Sequence, residues 1–290
     1  MQDLLSQALS PVILIYVVSG MLALGLGQTV GQILGPLRQL RMTLSAVIAS
    51  YFLLPLGAAL LARLFGLDEG LRFGLVLMAM AAGAEVGPLL AAISKANVRL
   101  AGGLLVLSIA ITIVYLPLML GVFLPDAEVP VGHLVVKLGL TIVVPLVLGL
   151  FIRSHFERFA HAAEHWMHNV SRVFVLLLTL LVIVLFYGRI IAMFGNFAIL
   201  AALILVVGGF GLGYLLGWPE RGNRLAMGYM HGARSASIAV MVASDVFRDN
   251  PNVMLMIATQ TMLILVILIP LSFALKIKEA PAGASAAPPG

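Results

Sequence analysis

The 290-residue sequence contains no cysteine, which excludes disulfide scaffolds, thiolate metal sites and thiol catalysis. Charge is also scarce: Asp, Glu, Lys and Arg make up 10% of the chain, against roughly 25% in ordinary soluble domains. A soluble globular fold is not built from that composition, and 62% hydrophobic residues equally exclude a disordered main body. What is left is an integral membrane protein. The stretch Met1 to Gln7 has an Asp and no Lys or Arg, so it lacks the basic n-region of a cleavable signal peptide, and the first apolar run is expected to be a span.

The net charge of +5 does not indicate nucleic acid, because the 17 Lys and Arg stand in ones and twos between apolar runs. Nine such runs reach the roughly 20 residues needed to cross a bilayer core: about 9–27, 42–65, 71–97, 100–124, 133–153, 171–193, 195–217, 224–246 and 252–275. Neighbouring residues are both apolar almost throughout, so the alternation of a β-barrel is missing and the spans are predicted to be helices. The fold class is all-α membrane protein. Arg38, Arg41, Lys95, Arg99, Arg153, Arg158, Arg172, Arg221, Arg224, Lys276 and Lys278 fall on one side of this bundle. Only Arg63, Arg72, Lys137, Arg189 and Arg248 fall on the other. By the positive-inside rule the N-terminus is expected outside and the C-terminus in the cytoplasm, in the cell (inner) membrane.

Residues 154–172, with His155, His161, His165 and His168 beside Phe156, Phe159 and Trp166, read as a short amphipathic helix lying on the cytoplasmic surface. No acid-rich inner shell accompanies the histidines, so no metal is expected. The tail 279–290, rich in Ala, Pro and Gly, is expected to be disordered.

Two spans carry small and polar residues at mid-depth. The third reads Ala-Ala-Gly-Ala-Glu-Val-Gly-Pro over 81–88, and the eighth reads His-Gly-Ala-Arg-Ser-Ala-Ser over 231–237. Pro88 removes a helix hydrogen bond while Gly83 and Gly87 tolerate irregular backbone, which predicts a break near Glu85. In the eighth span a break rests on Gly232 and the small polar run alone. Ionisable groups at this depth cost at least about 2.5–3.5 kcal/mol, so Glu85, His231 and Arg234 should face protein or water and find partners. An ion pair between Glu85 and Arg234 is the simplest expectation, with His231 three residues before Arg234 on the same face if helix persists. Such a pair could merely pin two helices. The functional alternative is a midplane binding site formed by Glu85, His231, Arg234, Ser235 and Ser237, where broken-helix ends and a guanidinium receive an anion.

Each interrupted span is followed by one more span in its half of the chain, the pattern of a transporter made of inverted repeats, here spans one to four against five to nine. No HExxH motif, acidic pair or Ser with a general base is present, so an enzyme is not expected and no cofactor is implied. A non-transporting sensor or channel on the same fold stays open. The Gly-Gly-Phe-Gly-Leu-Gly run at 208–213 is expected to permit close helix packing.

From about Pro11 to Lys278 the sequence resembles the bile acid:sodium symporter family. Gly25-Leu26-Gly27 resembles the family's turn after its first span, Ala46 to Ser50 through Pro55 its next helix, Gly83 to Asn97 its first crossing helix and Gly228 to Ala239 its second. The resemblance implies a single transporter unit over 1–278, with two unwound helices that cross at the bilayer centre. Its panel domain would cover about 9–27 and 133–193, and its core domain about 42–124 and 195–275. It also implies a small organic anion as substrate, moved across the lipid bilayer by alternating access. The residues that hold sodium in coupled members correspond here to Gly87, Pro88, Ala101, Leu105, Ser50, Tyr229 and Ala233, of which only Ser50 and Tyr229 keep a side-chain oxygen. A hard cation wants several oxygen ligands. The expectation is therefore a proton-coupled carrier or a uniporter in which Arg234 occupies the space of the ion, with an ordinary sodium-dependent symporter as the alternative.

Overall fold

The computed structural model describes residues 2–29, 31, 40–123, 131–192 and 197–277. The predicted disordered tail 279–290, together with Arg38 and Lys278, lies outside them. Among the described residues the chain is helical and contains no strand. The elements are α1 (Gln2–Gly27), α2 (Leu40–Leu64), α3 (Glu69–Met80), α4 (Val86–Ile93), α5 (Val98–Phe123) and α6 (Gly132–His155). They continue with α7 (Glu157–Ala192), α8 (Ala198–Leu216), α9 (Arg221–Gly232), α10 (Ala236–Val246) and α11 (Pro251–Ala274). Five of these, α2, α5, α6, α8 and α11, are long and apolar enough to cross a membrane whole.

Large apolar side chains line the outside at helical spacing. Leu56, Leu60 and Leu64 on α2, Val114, Leu118 and Val122 on α5, and Val136, Leu140, Val144 and Phe151 on α6 are all exposed. Apolar stripes of that length would drive aggregation in water and are at rest in lipid. The polar side chains Ser50, Thr112, His231, Arg234, Ser235, Ser237 and Gln260 are instead buried.

Helices α1, α6 and α7 pack on one another. The α1–α6 crossing is a backbone contact, since a Cβ placed on Gly149 would stand 2.8 Å from the Leu26 nitrogen and one on Gly25 would stand 2.9 Å from the Gly149 Cα. Ser171 of α7 donates to the Tyr16 carbonyl of α1 at 3.4 Å. The histidine-rich segment differs from its sequence reading: α7 is one 36-residue helix, because no proline and no glycine before Gly188 interrupts it. Phe159, Trp166 and Val173, seven residues apart, form one exposed stripe that continues the span outward. Burial pushes the His168 imidazole on the inner face below its ordinary value.

In the rest of the molecule glycine again sets the spacing. Within the 208–213 run, Gly209 and Gly213 face the α9 backbone, where a Cβ would meet the His231 carbonyl oxygen at 2.6 Å and the Met227 carbonyl carbon at 2.7 Å. Gly208 and Gly211 face open space. Both α2 and α6 contain a turn of π-helix, over Ala49–Leu53 and Gly139–Val143, one residue before Leu54-Pro55 and Val144-Pro145. The wide turn widens the helix where the proline offers no N–H.

At one end, Asn97 fastens the α4–α5 turn to the start of α9. Its N–H donates to the Gly222 carbonyl at 3.2 Å and its side-chain amide to Asn223 Oδ1 at 2.8 Å. On the α6 side, Lys137 Nζ lies 2.6 Å from Asp245 Oδ1 at the end of α10, with His133 Nδ1 3.3 Å from the other carboxylate oxygen. Lys137 is one-third exposed, so water screens the pair. Lys137→Gln is expected to lower stability by no more than about 1 kcal/mol, measured by thermal unfolding in detergent at low salt, and high salt should erase the difference.

Candidate functional site

The third predicted span is two helices. α3 is started by Asp68, whose carboxylate accepts from the Leu71 N–H at 2.9 Å, and it stops at Met80. Residues 81–85 are not helical, and Gly83 has φ +95, a conformation that favours glycine; a Cβ there would also strike Ile109 Cγ1 at 2.8 Å. Pro88 lies in the first turn of α4, where its missing N–H is no loss, while the Gly87 N–H reaches the Ala84 carbonyl at 3.1 Å. The proline thus starts the second half-helix.

The eighth predicted span is also two helices. α9 ends at Gly232, packed on Phe210, and Ala233 and Ser235 are extended. Ser235 caps α10, its Oγ accepting from the Ile238 N–H at 3.4 Å. The two breaks are joined: the Ser235 N–H donates to the Ala81 carbonyl at 2.9 Å, and Thr112 of α5 donates to the Ala82 carbonyl at 3.1 Å. Carbonyl groups released by unwinding are thereby satisfied inside the protein.

Glu85, Ser235 and Ser237 come together across this crossing. Ser237 Oγ donates to Glu85 Oε1 at 2.5 Å, Ser235 Oγ lies 3.5 Å from the same oxygen, and the two hydroxyls are 3.0 Å apart. Tyr16 of α1 faces Ser237 and the Glu85 carboxyl. Both serines are fully buried, whereas Glu85 keeps a partly accessible surface. Gly87 lies against Met230 of α9, its missing Cβ making room for the thioether.

Arg234 does not join Glu85. The three non-helical residues 233–235 break the helical phase and turn its side chain inward toward Tyr51 and Tyr115. It is 4% exposed, and neither Nη1 nor Nη2 has a hydrogen-bond partner among the described residues. Tyr51 stands in the π-helical turn of α2, its hydroxyl bonded to the Ser108 carbonyl at 2.6 Å and 2.9 Å from Thr112 Oγ1. Tyr115 donates to the Tyr51 carbonyl at 2.5 Å, with the rings edge to face. His231, buried, is on a third bearing: Nδ1 lies 2.7 Å from the Met227 carbonyl and Nε2 3.2 Å from the Ala46 carbonyl of α2. A neutral imidazole has one N–H and can donate to only one of them. The expected common face of His231 and Arg234 is absent because α9 ends between them.

Tyr16, Tyr51, Tyr115 and Thr112 were not among the residues singled out from sequence. A signal existed: membrane tyrosines gather at the two interfaces, whereas these three tyrosines fall well inside apolar runs.

Two half-helix pairs, crossing by backbone and side-chain hydrogen bonds inside a lipid-facing helical shell, define a multi-pass membrane protein of the broken-helix transporter class. A family model, the Sodium Bile acid symporter family, matches residues 13–196. The chain belongs to that family, and its activity class is transport. The matched region contains the first crossing; the second, with Arg234, lies beyond it. A comparison with curated proteins finds no match.

Proposed function

We propose that the protein is a sodium-independent secondary transporter of a small organic anion, working by alternating access in the cell (inner) membrane with its N-terminus outside. The observation that carries this reading is the buried guanidinium of Arg234 behind the crossing, whose Nη1 and Nη2 have no hydrogen-bond partner among the described residues. In broken-helix transporters, unwound carbonyls and half-helix C-termini attract the coupling cation, and half-helix N-termini attract the anionic group of the substrate. Arg234 stands beside the C-terminal ends of α3 and α9, a permanent cation where a mobile one would bind. The N-termini of α4 and α10 point from the same crossing toward α1, and the substrate is received there beside Glu85, Ser235 and Ser237, with Arg234 and His231 contributing from behind. Helices α1, α6 and α7 form the panel, the remaining helices form the core, and the panel moves against the core.

The test is thermal stability of the purified protein on replacing potassium by sodium at constant ionic strength. A bound ion at a hundredfold excess over its dissociation constant stabilises by roughly 2.7 kcal/mol. No sodium-specific shift is expected; a saturable one would overturn the reading in favour of an ordinary sodium symporter.

A further inference from the structure

Among the described residues Glu85 is left without a cation. Arg234 turns away from it, His231 is held by the Met227 and Ala46 carbonyls, and none of the described ion pairs includes it. Its surroundings are hydroxyls: Ser235 and Ser237 from the first turn of α10, and Tyr16 from α1. On α5, Thr112 is committed to the Ala82 carbonyl. A carboxylate at mid-membrane with no fixed countercharge requires an exchangeable one.

The oxygen spacing separates the two candidates. Oxygens that share a hard cation at about 2.4 Å each, roughly at right angles, stand about 3.4 Å apart. Glu85 Oε1 and Ser237 Oγ are instead in direct hydrogen-bonding contact, the hydroxyl proton lying between them. The one exchangeable countercharge that this hydroxyl-lined carboxyl can take up without moving those oxygens apart is a proton, added at the carboxyl group. Glu85 keeps some accessible surface while the serines behind it have almost none, so the carboxyl is the outermost group of the cluster.

We infer that Glu85 is the proton-binding site of this carrier and that the chain Glu85–Ser237–Tyr16, which passes from α4 through α10 to α1, ties its protonation to movement of α1 against the crossing. The inference deepens the transport reading and rests on it for its mechanical half. An ionised Glu85 accepts from Ser235 and Ser237 and holds α4 to α10. A protonated Glu85 gives up part of that acceptor capacity and itself becomes a donor, so the hydrogen bonds around Ser237 rearrange and its link to Tyr16 loosens.

The experiment titrates the full-length detergent-purified protein with acid while recording infrared difference spectra of the carboxyl C=O stretch, on wild type, Glu85→Gln, Ser237→Ala and Tyr16→Phe. The wild type is expected to show a titrating carboxyl band that is missing in Glu85→Gln and unaffected by exchanging sodium for potassium. Ser237→Ala, which folds without losing a buried charge, should retain the band with its proton affinity changed by about tenfold, the value of one hydrogen bond to a charged group. A spectrum in which Glu85→Gln removes no titrating band, or in which sodium competes with the proton, overturns the proposal. In proteoliposomes containing a pH-sensitive dye, uptake from a panel of labelled carboxylates should be accompanied by proton movement in wild type and by none in Glu85→Gln. Solute uptake without proton movement would refute the proton site and leave transport standing. A titrating Glu85 without any solute uptake would refute the transport reading and the mechanical link together.

Discussion

Replacing Arg234 by methionine is expected to abolish solute uptake while leaving the protein as stable as wild type or more stable, by up to about 2–3 kcal/mol. The direction is unusual, because substitutions of fully buried residues mostly destabilise. It follows from its environment: the guanidinium is 4% exposed, its terminal nitrogens have no hydrogen-bond partners among the described residues, and its neighbours there are two tyrosines and no acid. An unpaired charge at this depth costs at least about 2.5–3.5 kcal/mol, and a methionine of similar length fills the same space without that cost. A group that burdens the fold and is nevertheless present is the signature of function retained against stability. Thermal unfolding and uptake of labelled carboxylates, measured on the same preparation, check both halves. A large loss of stability would show that the guanidinium holds the fold together, and sodium-independence would then lose its physical basis.

The second large effect is structural. Gly213→Leu should cost at least about 3 kcal/mol and prevent recovery of folded protein. Even the first carbon of the new side chain would stand 2.7 Å from the Met227 carbonyl carbon and 2.9 Å from His231 Nδ1, and backbone cannot give way as a flexible side chain can. Separating α8 from α9 would also disturb the imidazole that bridges to α2 through the Ala46 carbonyl. Gly211→Leu, two residues earlier and facing open space, is the control and should change stability by less than about 0.5 kcal/mol. Yield of monodisperse protein and melting temperature distinguish the two; equal losses would mean that the run acts through backbone freedom and not through close approach.

The breaks in the two crossing helices were readable from Gly83, Pro88, Gly232 and the polar residues around them, because glycine, proline and mid-depth charge each have a local cost that a continuous span would not carry. The partnership of the charges was not. Helical periodicity assigns a residue to a face only while the helix lasts, and once 233–235 leave the helix, one residue decides whether Arg234 or Ser235 meets Glu85. The π-helical turns left no compositional mark either, beyond the prolines that follow them, so the placement of Tyr51 behind the crossing could not be foreseen. For the histidine-rich segment the amphipathic pattern was read correctly but its independence was not: the sequence contains no breaker between Glu157 and the apolar run, and the helix continues.

The hydrogen bond from the Ser235 N–H to the Ala81 carbonyl has a bearing on how the chain is made. During insertion the first crossing enters the bilayer with two freed carbonyls. Thr112 arrives to satisfy Ala82 after only 30 residues of further synthesis. The groups that satisfy Ala81 and Glu85 come from the second crossing, and Ser235 follows Glu85 by 150 residues. Until that segment is made, the first broken helix lacks the partners that these two groups have in the folded protein. The native form of the first crossing therefore requires the second, and a chain truncated before Ser235 is expected to leave the Ala81 carbonyl without its partner.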